Sequence, residues 1–79
     1  MEHSEIQERV KKVVAEVLEM DISGISDDAN FIFDLGADSM QSAQLVAAFE
    51  EEFGIEMDED KALDVQNIAD AVAFISGYL

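Results

Sequence analysis

The chain has no cysteine, which excludes disulfides and thiolate metal sites. It has no proline, no internal repeat and no low-complexity linker, so nothing marks a boundary inside its 79 residues and one domain spanning 1–79 is expected. No apolar run approaches the ~20 residues needed to span a bilayer. The opening MEHSEIQERVKK lacks the basic-then-apolar order of a secretion signal, which points to the cytoplasm. Bases are scarce: Arg9, Lys11, Lys12 and Lys61 face 19 acids, giving a net charge of −15. Between Lys12 and Lys61 lie 14 acids and no base. Such a surface repels phosphate backbones and anionic lipid, which argues against nucleic-acid binding and membrane insertion. It speeds encounter with basic patches on other proteins. A solvated acidic surface that only aids solubility has the same composition.

What is present is helical. Apolar residues make up 49% of the chain, enough for a small core, and strand-type alternation is absent. Ile6, Val10, Val13, Val14, Val17 and Leu18 share one helical face, predicting a helix from Ser4 to Leu18 or Met20. SEIQ reads as its capping box, with Ser4 taking a free N–H and Gln7 reaching back. Valine is a poor helix former, so burial has to hold this helix. The stretch from Asp21 to Asp38 is a long connection studded with Ile22, Ile25, Phe31, Ile32 and Leu35. Loops of this length are functional or packed down by their own apolar residues. A second helix runs from Ser39 to Phe53, N-capped by Asp38, stopped by Gly54, and apolar at Leu45, Val46, Phe49 and Phe53. A short helical turn is expected over Glu59 to Asp64. Asn67 then caps a last helix, with Asp70 placed for a capping box, an apolar face of Ile68, Ala71, Val72 and Ile75, and Gly77 at its end. The fold class is therefore all-α: a small four-helix bundle of three main helices and one short one.

Little here can carry chemistry alone. Ser39, in FDLGADSM, would need a base within hydrogen-bond reach to act as a nucleophile, and the only histidine, His3, lies near the N-terminus. The elbow G-x-S-x-G is absent. Taken by itself, Ser39 is equally a residue that favours a helix start. The acids around Asp58 suggest a calcium loop, but the sixth position from Asp58 is Leu63, where glycine is required. From Asp21 the twelfth position is Phe33, so that frame fails too. No metal site is expected, and Glu50, Glu51 and Glu52 read as a solvated face.

Motif, length, charge and helix order together resemble the acyl carrier protein family. DLGADSM is similar to the family's attachment motif, DLGADSL, and sits where the family has it. ERVKKVV, ANFIFDLGADS, LVAAFEEEFGIEM and VQNIADAVAFI follow in family order, so the resemblance covers nearly the whole chain. It implies a carrier, not an enzyme, with 4′-phosphopantetheine moved from coenzyme A onto Ser39 by a separate phosphopantetheinyl transferase using magnesium. Acyl groups would then ride as thioesters on the prosthetic thiol. By the same resemblance Leu35, Gly36, Asp38 and Met40 frame the site. Asp38 faces the transferase and its metal, Gly36 lets the partner approach the backbone, and Met40 takes the leucine position. Partners would be the transferase and the acyl-loading, elongating and transferring enzymes, docking by basic patches on Asp38, Gln41, Gln44, Ala47, Glu50 and Glu51 of a monomer. Phe31, Leu45, Val46, Phe49, Ala62, Ile68 and Ile75 would line an acyl pocket.

The chain also departs from the family. Gln41 and Gln44 stand where acids are usual, Phe33 where a charge is usual, Ala47 where a larger apolar residue is frequent, and Asp58 where proline is common. These changes imply a flatter, less acidic docking face and a specialised carrier serving a dedicated pathway. The alternatives are an aminoacyl, peptidyl or polyketide carrier with the same Ser39 chemistry, or an unmodified acidic adaptor that binds basic protein surfaces.

Overall fold

Valine and isoleucine at helical spacing decide the first element. In the computed structural model, which describes residues 1–79, α1 spans His3–Leu18 and buries Ile6, Val10, Val13 and Val14. The expected Ser4 capping box does not form. The helix begins one residue earlier, after Glu2, which makes no side-chain cap. Ser4 therefore lies inside the first turn, where its hydroxyl cannot turn back to a free N–H, and the Glu2 carbonyl accepts from the N–H groups of Glu5 and Ile6. His3 is the first helical residue.

The connection to the second helix is ordered by side chains. A 3₁₀ turn spans Ile22–Gly24, and Asp21 accepts from both the N–H and the hydroxyl of Ser23. Those two bonds, the backbone one first, hold the Asp21 carboxyl below its usual range. Lys11 donates to Asp27 and ties the loop to α1, which likewise lowers the Asp27 carboxyl. Ile25, Ala29, Phe31 and Ala37 turn into the core, whereas Ile32 stays exposed. The loop is also stitched to the far end of the chain. Phe31 N–H donates to the Gln66 carbonyl at 2.9 Å and Ile68 N–H to the Ala29 carbonyl at 3.0 Å, an isolated antiparallel bridge of Asn30 with Asn67.

Three further helices follow: α2 over Ser39–Phe53, α3 over Glu59–Leu63 and α4 over Ile68–Ser76. Gly54 ends α2 in the left-handed conformation, as its position predicts. Asn67 caps α4 by accepting from Asp70 N–H at 2.7 Å, so the forward half of the anticipated box is made. The apolar face of α4 is buried at all four expected residues. The helix α1 packs on both α2 and α4, while α3 lies against α2. Val10, Val14, Ile68, Val72 and Ile75 form the centre of a core of 16 buried residues, none of them polar. Arg9 clamps α1 to the end of α2: Nε donates to Glu52 Oε2 at 2.7 Å, Nη2 to the Glu52 carbonyl at 2.6 Å, and the guanidinium lies 4.8 Å from the Phe53 ring centre.

Candidate functional site

The site is built from a capped turn that delivers a serine to a helix start. Residues 31–35 make one helical turn. Asn30 Oδ1 accepts from Ile32 and Phe33 N–H, both at 2.9 Å, and Asp34 Oδ2 accepts from Asn30 N–H at 2.7 Å. The turn closes with Gly36 N–H donating to the Ile32 carbonyl and Ala37 N–H to the Phe31 carbonyl. Gly36 sits at φ 75°, a left-handed position that glycine takes at least cost.

Asp38 then caps α2. Its carboxylate accepts from Gln41 N–H at 2.8 Å, and Gln41 Oε1 accepts from Asp38 N–H at 3.1 Å, a complete capping box. The consequence for Ser39 is direct. Asp38 does the capping, so Ser39 is the first helical residue and is not needed as a cap. The hydroxyls of Ser23, Ser26 and Ser42 donate to Asp21, Asp28 and the Asp38 carbonyl. The exposed Ser39 hydroxyl has no such acceptor. The N–H groups of Ser39 and Met40 are left without intrahelical partners at the positive end of α2.

Around Ser39 the framing residues take different places. Met40 is exposed, Leu35 half-buried, and Ala37, which sequence reasoning passed over, is buried. Of the residues expected to meet partners, Gln44, Ala47 and Glu51 are exposed. Gln41 and Glu50 are engaged internally: Gln41 in the cap, and Glu50 accepting from Met57 N–H at 2.8 Å.

Six of the seven anticipated pocket residues, Phe31, Leu45, Val46, Phe49, Ala62 and Ile75, surround one apolar cavity of about 30 Å³. Ile68 is instead fully buried in the core away from it. Met57, Val65 and Phe74 join the lining. Met57 and Val65 come from connections without apolar periodicity, so no sequence signal marked them. A second hollow of about 180 Å³ lies between the 31–35 turn and the end of α3, a groove that shares Phe31, Ser42, Leu63 and Val65 with the cavity. No group of three or more histidine or acidic side chains is gathered to hold a metal ion. No helix is long and apolar enough to cross a membrane.

Comparison with known proteins agrees with this geometry. Residues 8–75 match the family described as "Phosphopantetheine attachment site". The chain is 51% identical over 72 residues to the acyl carrier protein of Sinorhizobium fredii and, equally, to acyl carrier protein AcpP of Rhizobium meliloti, covering 91% of this chain and 92% of each relative. A solved structure from Mycobacterium tuberculosis, assigned to the acyl carrier proteins, superposes with a TM-score of 0.83 at 25% identity, over 91% of this chain and 96% of that one. A carrier fold, an exposed serine free of structural duty and matches of this extent lead to one conclusion: the chain belongs to the acyl carrier protein family, whose members bear a phosphopantetheine attachment site.

Proposed function

We propose that residues 1–79 act as one acyl carrier domain, cytoplasmic and monomeric, that holds 4′-phosphopantetheine on Ser39 and presents acyl groups to the enzymes that load, elongate and transfer them. The observation that carries this is the free hydroxyl of Ser39 at the start of α2. The residues present fit the group. Ser39 Oγ is accessible, the free N–H groups of Ser39 and Met40 and the helix dipole favour a phosphodiester, and an apolar groove begins one turn along at Ser42. The group supplies a thiol on a long arm, on which acyl chains are held as thioesters.

Ser39 acquires the arm by group transfer from coenzyme A. The Oγ–P bond forms as the pyrophosphate P–O bond of coenzyme A breaks, and adenosine bisphosphate leaves. The hydroxyl proton goes to a base that a separate transferase supplies, because His3 is placed on α1 and no other histidine exists. The chain itself is therefore not an enzyme in this reading. Asp38 orients the helix start and offers a carboxylate beside the reacting oxygen. The cavity between α2, α3 and α4 is too small as it stands to hold a chain, so cargo enters by parting the helices around Phe31, Leu45, Val46, Phe49, Ala62 and Ile75. A small core makes such opening inexpensive.

The test is intact mass before and after incubation with coenzyme A, magnesium and a broad-specificity phosphopantetheinyl transferase. Wild type and Ser42→Ala should each gain one phosphopantetheine, and Ser39→Ala none. A gain in Ser39→Ala would displace the site. No gain in folded, unmodified wild type would favour the acidic adaptor.

A further inference from the structure

Resting on that reading of Ser39, we propose that the Ile32–Phe33 turn and Leu63 form an apolar docking patch for the transferase that modifies Ser39, with Phe33 as its anchor. Eight large apolar residues are exposed in this molecule, and three of them, Met1, Tyr78 and Leu79, are at the chain ends. Four of the remaining five lie beside the serine or its groove: Phe33 at 88% exposure, Met40 at 71%, Ile32 at 58% and Leu63 at 46%. Phe33 gives almost nothing to the core, yet its backbone is fixed by the Asn30 and Asp34 bonds that cap its turn. A rigidly presented, unburied aromatic matches the anchors that dominate protein interfaces.

The groove walled by Phe33 and Leu63 adds a second observation. None of its eight lining residues is charged, in a molecule of net charge −15. It reaches Ser42, which lies ~4.5 Å further along the helix than Ser39 and near the same face. In the chain, Asp34 and Asp38 lie between the 30–33 segment of this neutral window and Ser42, and Asp64 lies between Leu63 and Val65. The complement is a protein surface apolar at its centre and basic around it. The transferase is the partner committed to this spot by geometry. Enzymes that act at the end of the arm can stand off, whereas the one that modifies Ser39 Oγ must cover whatever lies within a helical turn of it.

The experiment measures modification of the full chain by intact mass, with a phosphopantetheinyl transferase, coenzyme A and magnesium, at varied carrier concentration and at low and high NaCl. Phe33→Ala should raise the KM for the carrier about tenfold, the scale of one lost anchor, with kcat little changed. Leu63→Ser should act in the same direction. The effect should persist in high salt, because an apolar contact is not screened, whereas Glu51→Gln should matter only at low salt. Phe33→Ala should melt like wild type, since its side chain is 88% exposed, whereas Leu63→Ser, whose side chain also lines the cavity, should melt lower and is assayed below its melting temperature. Failure to modify wild type would defeat the assignment of Ser39 rather than the patch. Modification of Phe33→Ala with wild-type KM at both salt levels would overturn the patch. Two findings would reassign it: amide shifts at residues 32, 33 and 63 on arm attachment with KM unchanged, meaning the arm lies there, or a wild-type dimer that Phe33→Ala dissociates.

Discussion

Asp38 and Ser39 are chain neighbours with separate duties, and substitution can separate them. Asp38 both accepts from Gln41 N–H and has its own N–H satisfied by Gln41 Oε1. Asp38→Ala should therefore cost about 1 kcal/mol and lower the melting temperature by roughly 4–8 °C in a domain of this size. Asp38→Asn keeps an equally good cap and removes the charge. It should melt near wild type and still be modified more slowly, if the carboxylate serves the transferase. Wild-type modification of a stable Asp38→Asn would leave Asp38 a cap alone. At this scale the sequence was half legible. The DSM stretch gives the serine, its helix start and Asp38 as the cap, but not that Gln41 closes the box from the other side. Gln41 shows the other half. Read as a lost docking charge, it proves to be the return arm of the cap, a role that a glutamate fills as well, while Gln44 and Ala47 are exposed changes on the docking face.

Elements with a strong apolar period were legible to within a residue or two, and α2 to the residue. Elements ordered by side-chain hydrogen bonds were not. The helical turn at 31–35 depends on Asn30 and Asp34, whose types say only that a turn is near. The clamp between α1 and α2 was equally hidden, because Arg9 and Glu52 are 43 residues apart. That clamp is a forked, partly buried contact to a carboxylate and a carbonyl, with the guanidinium over Phe53. Its loss in Arg9→Ala should cost about 2 kcal/mol, the range for hydrogen bonds to charged groups. Arg9→Lys should recover less than half, since a point charge cannot make both bonds. Chemical denaturation of the three proteins decides this, and full recovery by lysine would reduce the clamp to simple charge attraction.

For the whole molecule the decisive quantity is charge. Two of the four bases, Arg9 and Lys11, are held in ion pairs, which leaves most of the 19 acids without a partner. The radius of gyration is 11.1 Å. The screening length falls from about 30 Å at 0.01 M salt to about 3 Å at 1 M. At low salt every acid therefore acts on every other, and at high salt only near neighbours do. Salt has two opposing effects: it weakens the ion pairs and it relieves self-repulsion. The pairs are few, and the one at Arg9 is partly buried and poorly screened, so relief of repulsion should win. The melting temperature followed by circular dichroism should rise with NaCl by several degrees, most steeply at low concentration. A basic protein surface neutralises the same acids, so docking should stabilise the carrier by the same physics as well as by mass action. A melting temperature that falls with salt would mean that the ion pairs outweigh the repulsion. The acidic surface would then be a cost-free coat, and docking would have no self-repulsion to relieve.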